Sequence, residues 1–342
     1  MKALLLHRTT DLTQNLLPLT LEHVDDPSPG AMDLLIQVKT CGVCHTELDE
    51  IEGRLTPPEF PIILGHQIVG EIIGMGNQCS NYKPGDRVGV GWIYDSCGKC
   101  AYCKQGLENL CPQFKATGKD AHGGYAEKMC IPETSAFPIP ELISDTDAAP
   151  LLCAGVIGYR SLALTNLKDG ENLGLSGFGS SGHLVLKMAK HLYPNVSIFV
   201  FARNPSEREF AMELGAVWTG EHTDTPPERL HAIIDTTPVW KPIVEGLRNL
   251  APNGRLVVNA IRKESVDQDI LLQLNYPEHL WMEKEIKSVA NVTRNDIREF
   301  LKLAADLDIR PKVQTYKLEE ANRAVVELKQ GKIHGAKVLV FG

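Results

Sequence analysis

Residues 172–182 read Asn-Leu-Gly-Leu-Ser-Gly-Phe-Gly-Ser-Ser-Gly, and this stretch decides the fold. A short apolar run ends at Ser176, a Gly-x-Gly-x-x-Gly turn follows, and residues 184–189 begin a segment with helical periodicity. This motif, placed between a strand and a helix, is typical of a dinucleotide site in which the helix N-terminus receives the pyrophosphate. A plain glycine-rich turn is the alternative interpretation. The predicted cofactor-binding residues of the turn are Gly177, Gly179, Ser180, Ser181 and Gly182.

Strand-like apolar runs recur after this turn. They occupy residues 196–201, 232–235, 255–260 and 286–291. Each run is separated from the next by enough chain for a crossover helix. The alternation predicts an α/β fold with a doubly wound parallel sheet of the Rossmann type.

The chain on either side of this sheet has a different pattern. Up to about residue 150, short β-type runs alternate with Pro and Gly, at residues 34–38, 68–73 and 87–90. This first part is predicted to be mostly β. From about residue 293 the pattern predicts a helix over 296–305 and a closing strand over 336–340.

The end of the strand after the glycine-rich turn reads Phe199-Val200-Phe201-Ala202-Arg203-Asn204. An NAD site usually carries Asp or Glu here for the ribose 2′-OH, whereas an Arg suits the 2′-phosphate of NADP. This segment lacks an acid and offers Arg203 instead. It favours NADP(H) over NAD(H), with Arg203 and Asn204 as cofactor-binding residues. A solvated surface Arg is the alternative.

A dense cysteine cluster comprises Cys97, Cys100, Cys103 and Cys111, all within 15 residues of chain. Tetrahedral Zn²⁺ takes four sulfur ligands at about 2.3 Å, and a short lobe supplies them only when they are closely spaced. Four unligated thiols would have no reason to cluster so regularly. An iron–sulfur cluster is the sharper alternative. In a bacterial ferredoxin run, however, three residues separate the last two cysteines, whereas seven separate Cys103 from Cys111 here. The cluster predicts a structural zinc with no open position.

A second possible metal site is dispersed along the sequence. Its members are Cys44, His66 and Cys153. Each residue alone is more often a packed side chain than a ligand. Together they are the ligand types of a three-ligand zinc whose fourth position stays open to water or substrate. Sequence spacing does not show that they meet.

Composition excludes several classes of function. The 342 residues include 35 Lys and Arg against 43 Asp and Glu, a formal net charge of −8, which disfavours nucleic acid and anionic membranes as partners. No apolar run reaches the length of about 18 residues that a membrane span needs. We expect a cytoplasmic chain of two domains. In a reducing compartment its nine cysteines indicate metal ligands or reactive thiols rather than disulfides.

Taken together, these motifs resemble the zinc-dependent medium-chain alcohol dehydrogenases, in particular their cinnamyl-alcohol-dehydrogenase-like bacterial branch. The resemblance covers essentially the whole chain, because the motifs occur in the family's order. They are Cys-Gly-Val-Cys-His-Thr at 41–46, Gly-His at 65–66, Gly-Asp-Arg-Val-Gly at 85–89, the four-cysteine lobe, Gly-Gly-Tyr-Ala-Glu at 123–127, Leu-Cys-Ala-Gly at 152–155 and the glycine-rich turn.

The resemblance implies a discontinuous domain arrangement. A GroES-like, mostly β catalytic domain would span residues 1–153, with its structural zinc lobe at about 95–112. A Rossmann domain would occupy 154–292, and residues 293–342 would return to the catalytic domain. The family's active site lies in the cleft between the domains, and its members are homodimers or homotetramers.

The resemblance also implies individual roles. Cys44, His66 and Cys153 match the ligands of a catalytic zinc, and the four lobe cysteines match those of a structural zinc. Thr46 matches the hydroxyl that passes the substrate proton to the nicotinamide ribose, and His45 matches a cofactor contact. Asp49 stands at the outer end of this proton relay. Trp92 matches an aromatic residue that lines the substrate pocket.

Four positions depart from the family pattern. Glu47 replaces an Asp that orients the zinc-binding His; it is one methylene longer, and we expect it to keep that orientation. Asp49 replaces a His of the relay, and Gln67 replaces a Glu that follows the ligand His. Lys337 is the candidate replacement for an Arg that binds the cofactor pyrophosphate.

The predicted function is reversible hydride transfer between a primary or secondary alcohol and NADP(H), giving an aldehyde or ketone, with two zinc ions per chain. Zinc would act as the Lewis acid and the nicotinamide would accept the hydride. Because NADPH is usually the reductant in cells, aldehyde reduction is the favoured direction. The alternatives are the same reaction with NAD(H), a zinc-lacking quinone or enoyl reductase, and a non-catalytic redox- or ligand-sensing relative. A zinc-ribbon nucleic-acid binder fits neither the net charge nor the glycine-rich turn.

Overall fold

The computed structural model describes residues 1–179, 181–331 and 335–342, and the chain divides into two compact units. The first unit is Met1–Cys153 together with Val292–Gly342, and the second is Ala154–Asn291. The predicted cofactor residue Ser180 lies outside the described residues. In the part of the chain that the structure describes, every helix is too short or too polar to cross a bilayer.

Short strands dominate the first part of unit one, as its frequent Pro and Gly residues predict. Its strands are β1 (Lys2–Leu6), β2 (Leu19–His23), β3 (Asp33–Val43), β4 (Ile62–Ile63), β5 (Ile68–Met75), β6 (Arg87–Val90), β7 (Ile93–Asp95), β8 (Lys115–Ala116), β9 (Lys128–Pro132) and β10 (Phe137–Pro138). Its helices are α1 (His45–Ile51), α2 (Ala101–Lys104) and α3 (Asp145–Pro150).

Unit two is built on one parallel sheet. Its elements are α4 (Val156–Leu164), β11 (Asn172–Ser176), α5 (Gly182–Leu192), β12 (Ser197–Phe201), α6 (Pro205–Glu213), β13 (Trp218–Gly220), β14 (Leu230–Asp235), α7 (Lys241–Asn249), β15 (Leu250–Val258) and β16 (Glu285–Ser288). The strand order is β13-β12-β11-β14-β15-β16, and every neighbouring pair is parallel. The predicted doubly wound α/β sheet is therefore confirmed. The last strand ends at Ser288 rather than at residue 291, where Asn291 turns the chain with φ 59°.

The chain then returns to unit one with α8 (Arg294–Asp306), β17 (Val313–Lys317), α9 (Ala321–Lys329) and β18 (Ala336–Val340). Helix α8 begins two residues before the predicted start because Thr293 and Asp296 form a capping box. In the seven-stranded sheet, β18 lies between β3 and β17. The late strand thus pairs with the strand that leads directly into Cys44.

Each unit has its own hydrophobic core. In unit one, fully buried side chains of β3, β5 and β18 pack together with Tyr125 and helix α9. In unit two, Phe199, Ile233 and Leu256 pack on the inner side of α7 against Ile243 and Leu247. Burial of such side chains stabilises each sheet by about 1.5–3 kcal/mol per residue before the entropy of folding is subtracted.

Candidate active site and cofactor site

The three dispersed ligand candidates lie together in unit one. Cys44 is the N-cap of α1, His66 precedes β5, and Cys153 lies in a π-helical turn after α3. Their ligand atoms are all within 4.8 Å of one another, and Cys44 Sγ is 3.6 Å from His66 Nε2. Zinc ligands lie about 2.0–2.3 Å from the ion, so two sulfurs and one imidazole nitrogen at this spacing fit a single zinc.

Glu47 organises two of these side chains. Its Oε1 lies 2.7 Å from His66 Nδ1, and its Oε2 accepts the backbone N–H of Cys44 at 2.8 Å. Glu47 and His66 are both buried. The longer carboxylate reaches the ring as expected, and it leaves His66 Nε2 facing the two sulfurs.

The electrostatics of this cluster suit a cation. Burial alone would lower the pKa of His66, but Glu47 and Cys44 outweigh it and raise that pKa well above its usual range. The pKa of the Cys44 thiol is also raised, by its hydrogen bond to Cys153 and then by burial and Glu47. Negative charge is therefore crowded here, and a divalent cation would stabilise the deprotonated sulfurs.

The predicted relay residues lie on α1. His45 is exposed and Thr46 is half-buried, with the Thr46 N–H donating to Cys44 Sγ at 3.3 Å. Asp49 is buried, and its Oδ1 accepts a hydrogen bond from Arg54 Nε at 2.5 Å. This ion pair engages the carboxylate that the sequence places at the outer end of the relay, and that role stays a prediction.

Trp92 forms a buried wall beside the cluster. Its ring meets the His66 ring edge-on, with centroids 5.0 Å apart and an interplanar angle of 84°. The indole is 8% exposed. This edge-to-face packing restrains the imidazole ring by shape alone, without a charged group. Gln67 is buried as well, and its amide occupies the space where a Cβ on Gly42 would lie.

Glu50 is a buried acid that sequence reasoning missed. It is fully buried on α1, and neither carboxylate oxygen has a hydrogen-bond partner among the described residues. Burial, followed by the charge of Glu47, raises its pKa well above the usual range, which favours the protonated carboxyl. The available signal was the i,i+3 spacing of two acids on one helix that also has an apolar face.

The lobe cysteines converge as a second cluster. The four Sγ atoms lie within 4.8 Å of one another, and none of the chain's nine cysteines is in a disulfide. Backbone N–H groups donate to Cys97 Sγ at 3.3 Å and to Cys111 Sγ at 3.3 Å. N–H groups of Lys99 and Cys100 lower the pKa of Cys97 to about 6, whereas desolvation raises that of Cys103 to about 11. Four sulfurs with such backbone donors fit a closed zinc site.

Arg294 anchors this lobe to helix α8. Its backbone N–H donates to Glu108 Oε1 at 2.7 Å, and its guanidinium donates to Ser96 Oγ at 2.9 Å and to Ser135 Oγ at 3.3 Å. Ser96 and Glu108 belong to the lobe, and Ser135 lies just before β10. The side chain therefore joins three separate stretches of unit one.

In unit two, backbone conformation and close contacts explain two of the three glycines of the glycine-rich turn. Gly177 has φ 84°, and a Cβ on it would lie 2.6 Å from Thr236 Oγ1. A Cβ on Gly182 would lie 2.7 Å from the Gly177 carbonyl oxygen, whereas Gly179 faces open space. Ser181 makes no side-chain capping bond to α5 among the described residues. An open glycine beside an uncapped helix N-terminus fits a pyrophosphate.

The residues after β12 offer positive charge. Arg203 is exposed there, and Asn204 Oδ1 caps α6 by accepting the Ser206 N–H at 3.0 Å. Arg208, which sequence reasoning missed, donates from Nη1 to the carbonyl oxygens of Ala202 at 2.7 Å and Arg203 at 3.0 Å. Its position one turn into α6 was the available signal. Two guanidiniums thus lie at the carboxyl end of β12.

Lys337 does not serve as expected. Its ammonium is buried, and it donates to Tyr316 Oη at 2.6 Å and to Glu327 Oε2 at 3.0 Å. The side chain of an inward-facing residue of β18 points into the core, where its charge is satisfied by β17 and α9. The expectation that Lys337 meets a cofactor pyrophosphate is therefore wrong.

The chain is similar to several known alcohol dehydrogenases. Residues 30–141 match the alcohol dehydrogenase GroES-like domain. The chain is 41% identical over 320 residues to a probable alcohol dehydrogenase, AdhA, of Mycobacterium tuberculosis, covering 92% of this chain and 90% of that protein. An alcohol dehydrogenase of Geobacillus stearothermophilus is 31% identical over 330 residues, covering 94% and 95%. A solved cinnamyl alcohol dehydrogenase of Sorghum bicolor superposes with a TM-score of 0.80 at 26% identity, covering 99% and 97%.

Proposed function

The chain belongs to the medium-chain zinc alcohol dehydrogenase family and is an oxidoreductase, and we propose that it interconverts an alcohol with its aldehyde or ketone, using zinc and NADP(H). The observation that carries this proposal is the convergence of Cys44, His66 and Cys153. Three protein ligands leave a fourth position for the substrate oxygen. Aldehyde reduction is the proposed direction, because NADPH is the usual cellular reductant.

The surrounding residues support this chemistry. Bound zinc would supply Lewis acidity at the substrate oxygen, and the bound nicotinamide would donate or accept the hydride according to the direction of the reaction. Glu47 holds the His66 ring, and Trp92 excludes water from one side of it. In this proposal Thr46 exchanges the hydroxyl proton with the nicotinamide ribose, and His45 contacts the cofactor. Asp49 is the proposed outer acceptor, although Arg54 already engages it.

A second zinc in the four-cysteine lobe is part of the proposal. The four sulfurs leave no room for substrate, so this ion would brace the lobe. Zinc content of the purified chain tests both sites at once. Two ions per chain support the proposal. A single ion per chain that is lost when a lobe cysteine is replaced would mean that the Cys44, His66 and Cys153 site holds no zinc. That outcome would favour a quinone or enoyl reductase that lacks the catalytic zinc.

NADP(H) is proposed over NAD(H) because Arg203 stands exposed where an NAD site carries an acid. Arg208 supports the same turn from below, through the carbonyl oxygens of Ala202 and Arg203. Steady-state assays with both cofactors and a panel of aldehydes test the reaction and the preference together. Turnover with no aldehyde and no alcohol would favour a non-catalytic, ligand-sensing relative.

A homodimer through β16 is the proposed assembly. This edge strand has four exposed residues, among them Ile286, and no described strand pairs with its outer edge. Antiparallel pairing of two copies about Ile286 places Glu285 opposite Lys287 of the second copy, twice by symmetry. Exposed Trp281 and Met282 lie just before the strand. Opposite charges in register, next to exposed apolar residues, favour a second copy as the occupant.

A further inference from the structure

Unit two contains a buried ion pair that the proposed mechanism does not use. Asp235 ends β14 and its side chain is 0% exposed, while Lys263 on the loop after β15 is 7% exposed. Lys263 Nζ donates to Asp235 Oδ2 at 2.5 Å and to the carbonyl oxygens of Thr237 at 2.7 Å and Val239 at 3.0 Å. Each of the three N–H groups of the ammonium therefore donates to one oxygen.

The other carboxylate oxygen of Asp235 faces the glycine-rich turn. It accepts hydrogen bonds from Ser176 Oγ and Thr237 Oγ1, both at 2.8 Å. Ser176 immediately precedes Gly177, and the Thr236 hydroxyl donates to the Ser176 carbonyl oxygen at 3.1 Å. The pair thus lies directly behind the turn, at the carboxyl ends of β11 and β14, where such sheets bind their ligands.

This position gives the charge of Lys263 a consequence. An ionised carboxylate buried behind a pyrophosphate site would repel the phosphates, and burial would strengthen that repulsion. Lys263 cancels the charge of Asp235. It also ties the loop after β15 to the loop after β14, which are further joined by the Glu264 N–H donating to the Pro238 carbonyl oxygen at 2.7 Å.

We propose that Lys263 is a positioning residue for the cofactor, because it neutralises Asp235 behind the pyrophosphate site and holds the two loops together. This inference rests on the dinucleotide site of the proposed function. This positioning role differs from a purely structural one, because loss of the cation and loss of the carboxylate should then affect cofactor binding in different directions. Loss of the cation leaves a negative charge behind the turn, whereas loss of the carboxylate leaves a positive one.

The test measures NADPH dissociation constants by fluorescence together with melting temperatures. Lys263→Met is expected to weaken NADPH binding about tenfold or more, which corresponds to about 1.4 kcal/mol. Asp235→Asn is expected to bind NADPH at least as tightly as the wild type, since a net positive charge remains. Lys168→Met is the matched control, because Lys168 is an exposed cation near the opposite end of β11, and its affinity should not change.

The outcomes separate the possibilities. Equal weakening by both single variants, in step with their melting temperatures, would reduce the pair to a structural role and overturn the inference. So would unchanged affinity in Lys263→Met. Should Lys263→Met fail to fold, Asp235→Asn decides alone, and weaker binding there contradicts the inference. Wild-type protein that binds neither NADPH nor NADH contradicts the proposed function itself.

Discussion

Glu47 Oε1 lies 2.7 Å from His66 Nδ1, and both side chains are almost wholly withdrawn from solvent, at 0% and 1% exposure. The same carboxylate caps the N–H of Cys44 at 2.8 Å. One side chain therefore sets the ring orientation of one ligand candidate and the backbone of another. Loss of this contact should disturb metal binding before it disturbs the fold.

Glu47→Gln is expected to lower zinc affinity about 10–100-fold, because a neutral amide replaces a charged partner of the ligating imidazole. Competition with a chelator measures the affinity, and steady-state turnover should fall with it. Glu71→Gln removes the same charge from an exposed position on β5 and is the control. Equal zinc affinity in both variants would show that the His66 contact has no influence on the metal.

Cys100→Ser should release one of two zinc ions and lower the melting temperature by more than about 5 °C, because a four-thiolate site contributes directly to folding. Calorimetry and metal analysis measure these two effects. Cys79→Ser, at a half-buried cysteine outside both clusters, should leave zinc content and melting temperature close to wild type. An unchanged melting temperature in Cys100→Ser would mean that the lobe is not a brace.

Arg203→Asp should shift cofactor preference from NADP(H) toward NAD(H) by about tenfold or more, because an acid repels the 2′-phosphate and accepts from the ribose hydroxyl. The ratio of kcat/KM values for the two cofactors measures this preference. Lys302→Asp reverses a cation that is 70% exposed on α8 and serves as the control. A ratio that stays constant in Arg203→Asp contradicts the assigned role.

Glu50→Gln should become progressively more stable than wild type as pH rises. Burial and Glu47 raise the folded-state pKa of Glu50 above its ordinary value of 4.5. The folded state then binds more protons than the unfolded state above that pH, so wild-type stability falls as pH rises toward the folded-state pKa. The neutral amide lacks this loss.

Melting temperatures of wild type and Glu50→Gln, measured in parallel from about pH 5 to about pH 8, check the Glu50 effect. The difference between the two proteins should widen with pH. Glu71→Gln should show no such widening, because its side chain is exposed. A difference that is constant across the range would mean that Glu50 is ionised in the folded protein throughout.

Ile286→Lys should convert the proposed dimer into a monomer. The introduced ammonium of one copy would then face the ammonium of the other at the symmetry axis of the β16 contact. Analytical ultracentrifugation measures the mass. Ile73→Lys changes an apolar residue that is 42% exposed on β5 and should leave the mass unchanged. A dimer that survives Ile286→Lys would place the interface elsewhere.

Local patterns predicted the second unit well. Gly177 and Gly182 are conformational requirements of a strand–turn–helix, so their spacing carried the architecture, and the four-cysteine lobe is local enough to be recognised in 15 residues. Convergence of Cys44, His66 and Cys153 could not be derived in the same way. Successive members of the set are 22 and 87 residues apart along the chain, and only a resemblance, not periodicity, joined them.

Buried charges were the hardest to foresee. Glu50, Lys337 and Lys263 are residue types that normally face water, and their surroundings depend on packing between distant segments. Lys337 illustrates the difficulty. The alternation of side chains along β18 turns it inward, where its ammonium donates to Tyr316 Oη and Glu327 Oε2. A one-residue shift in register would have placed it outside.

The position of β18 between β3 and β17 has a consequence for the order of folding. All six strands of the second unit come from residues 172–288, so they can assemble while the first unit still lacks residues 336–340. Until then residues 40–43 of β3, which lead into Cys44, have no partner on the edge that β18 covers. We expect an emerging chain to complete the parallel sheet of its second unit before β18 completes the scaffold that carries Cys44 in the first unit.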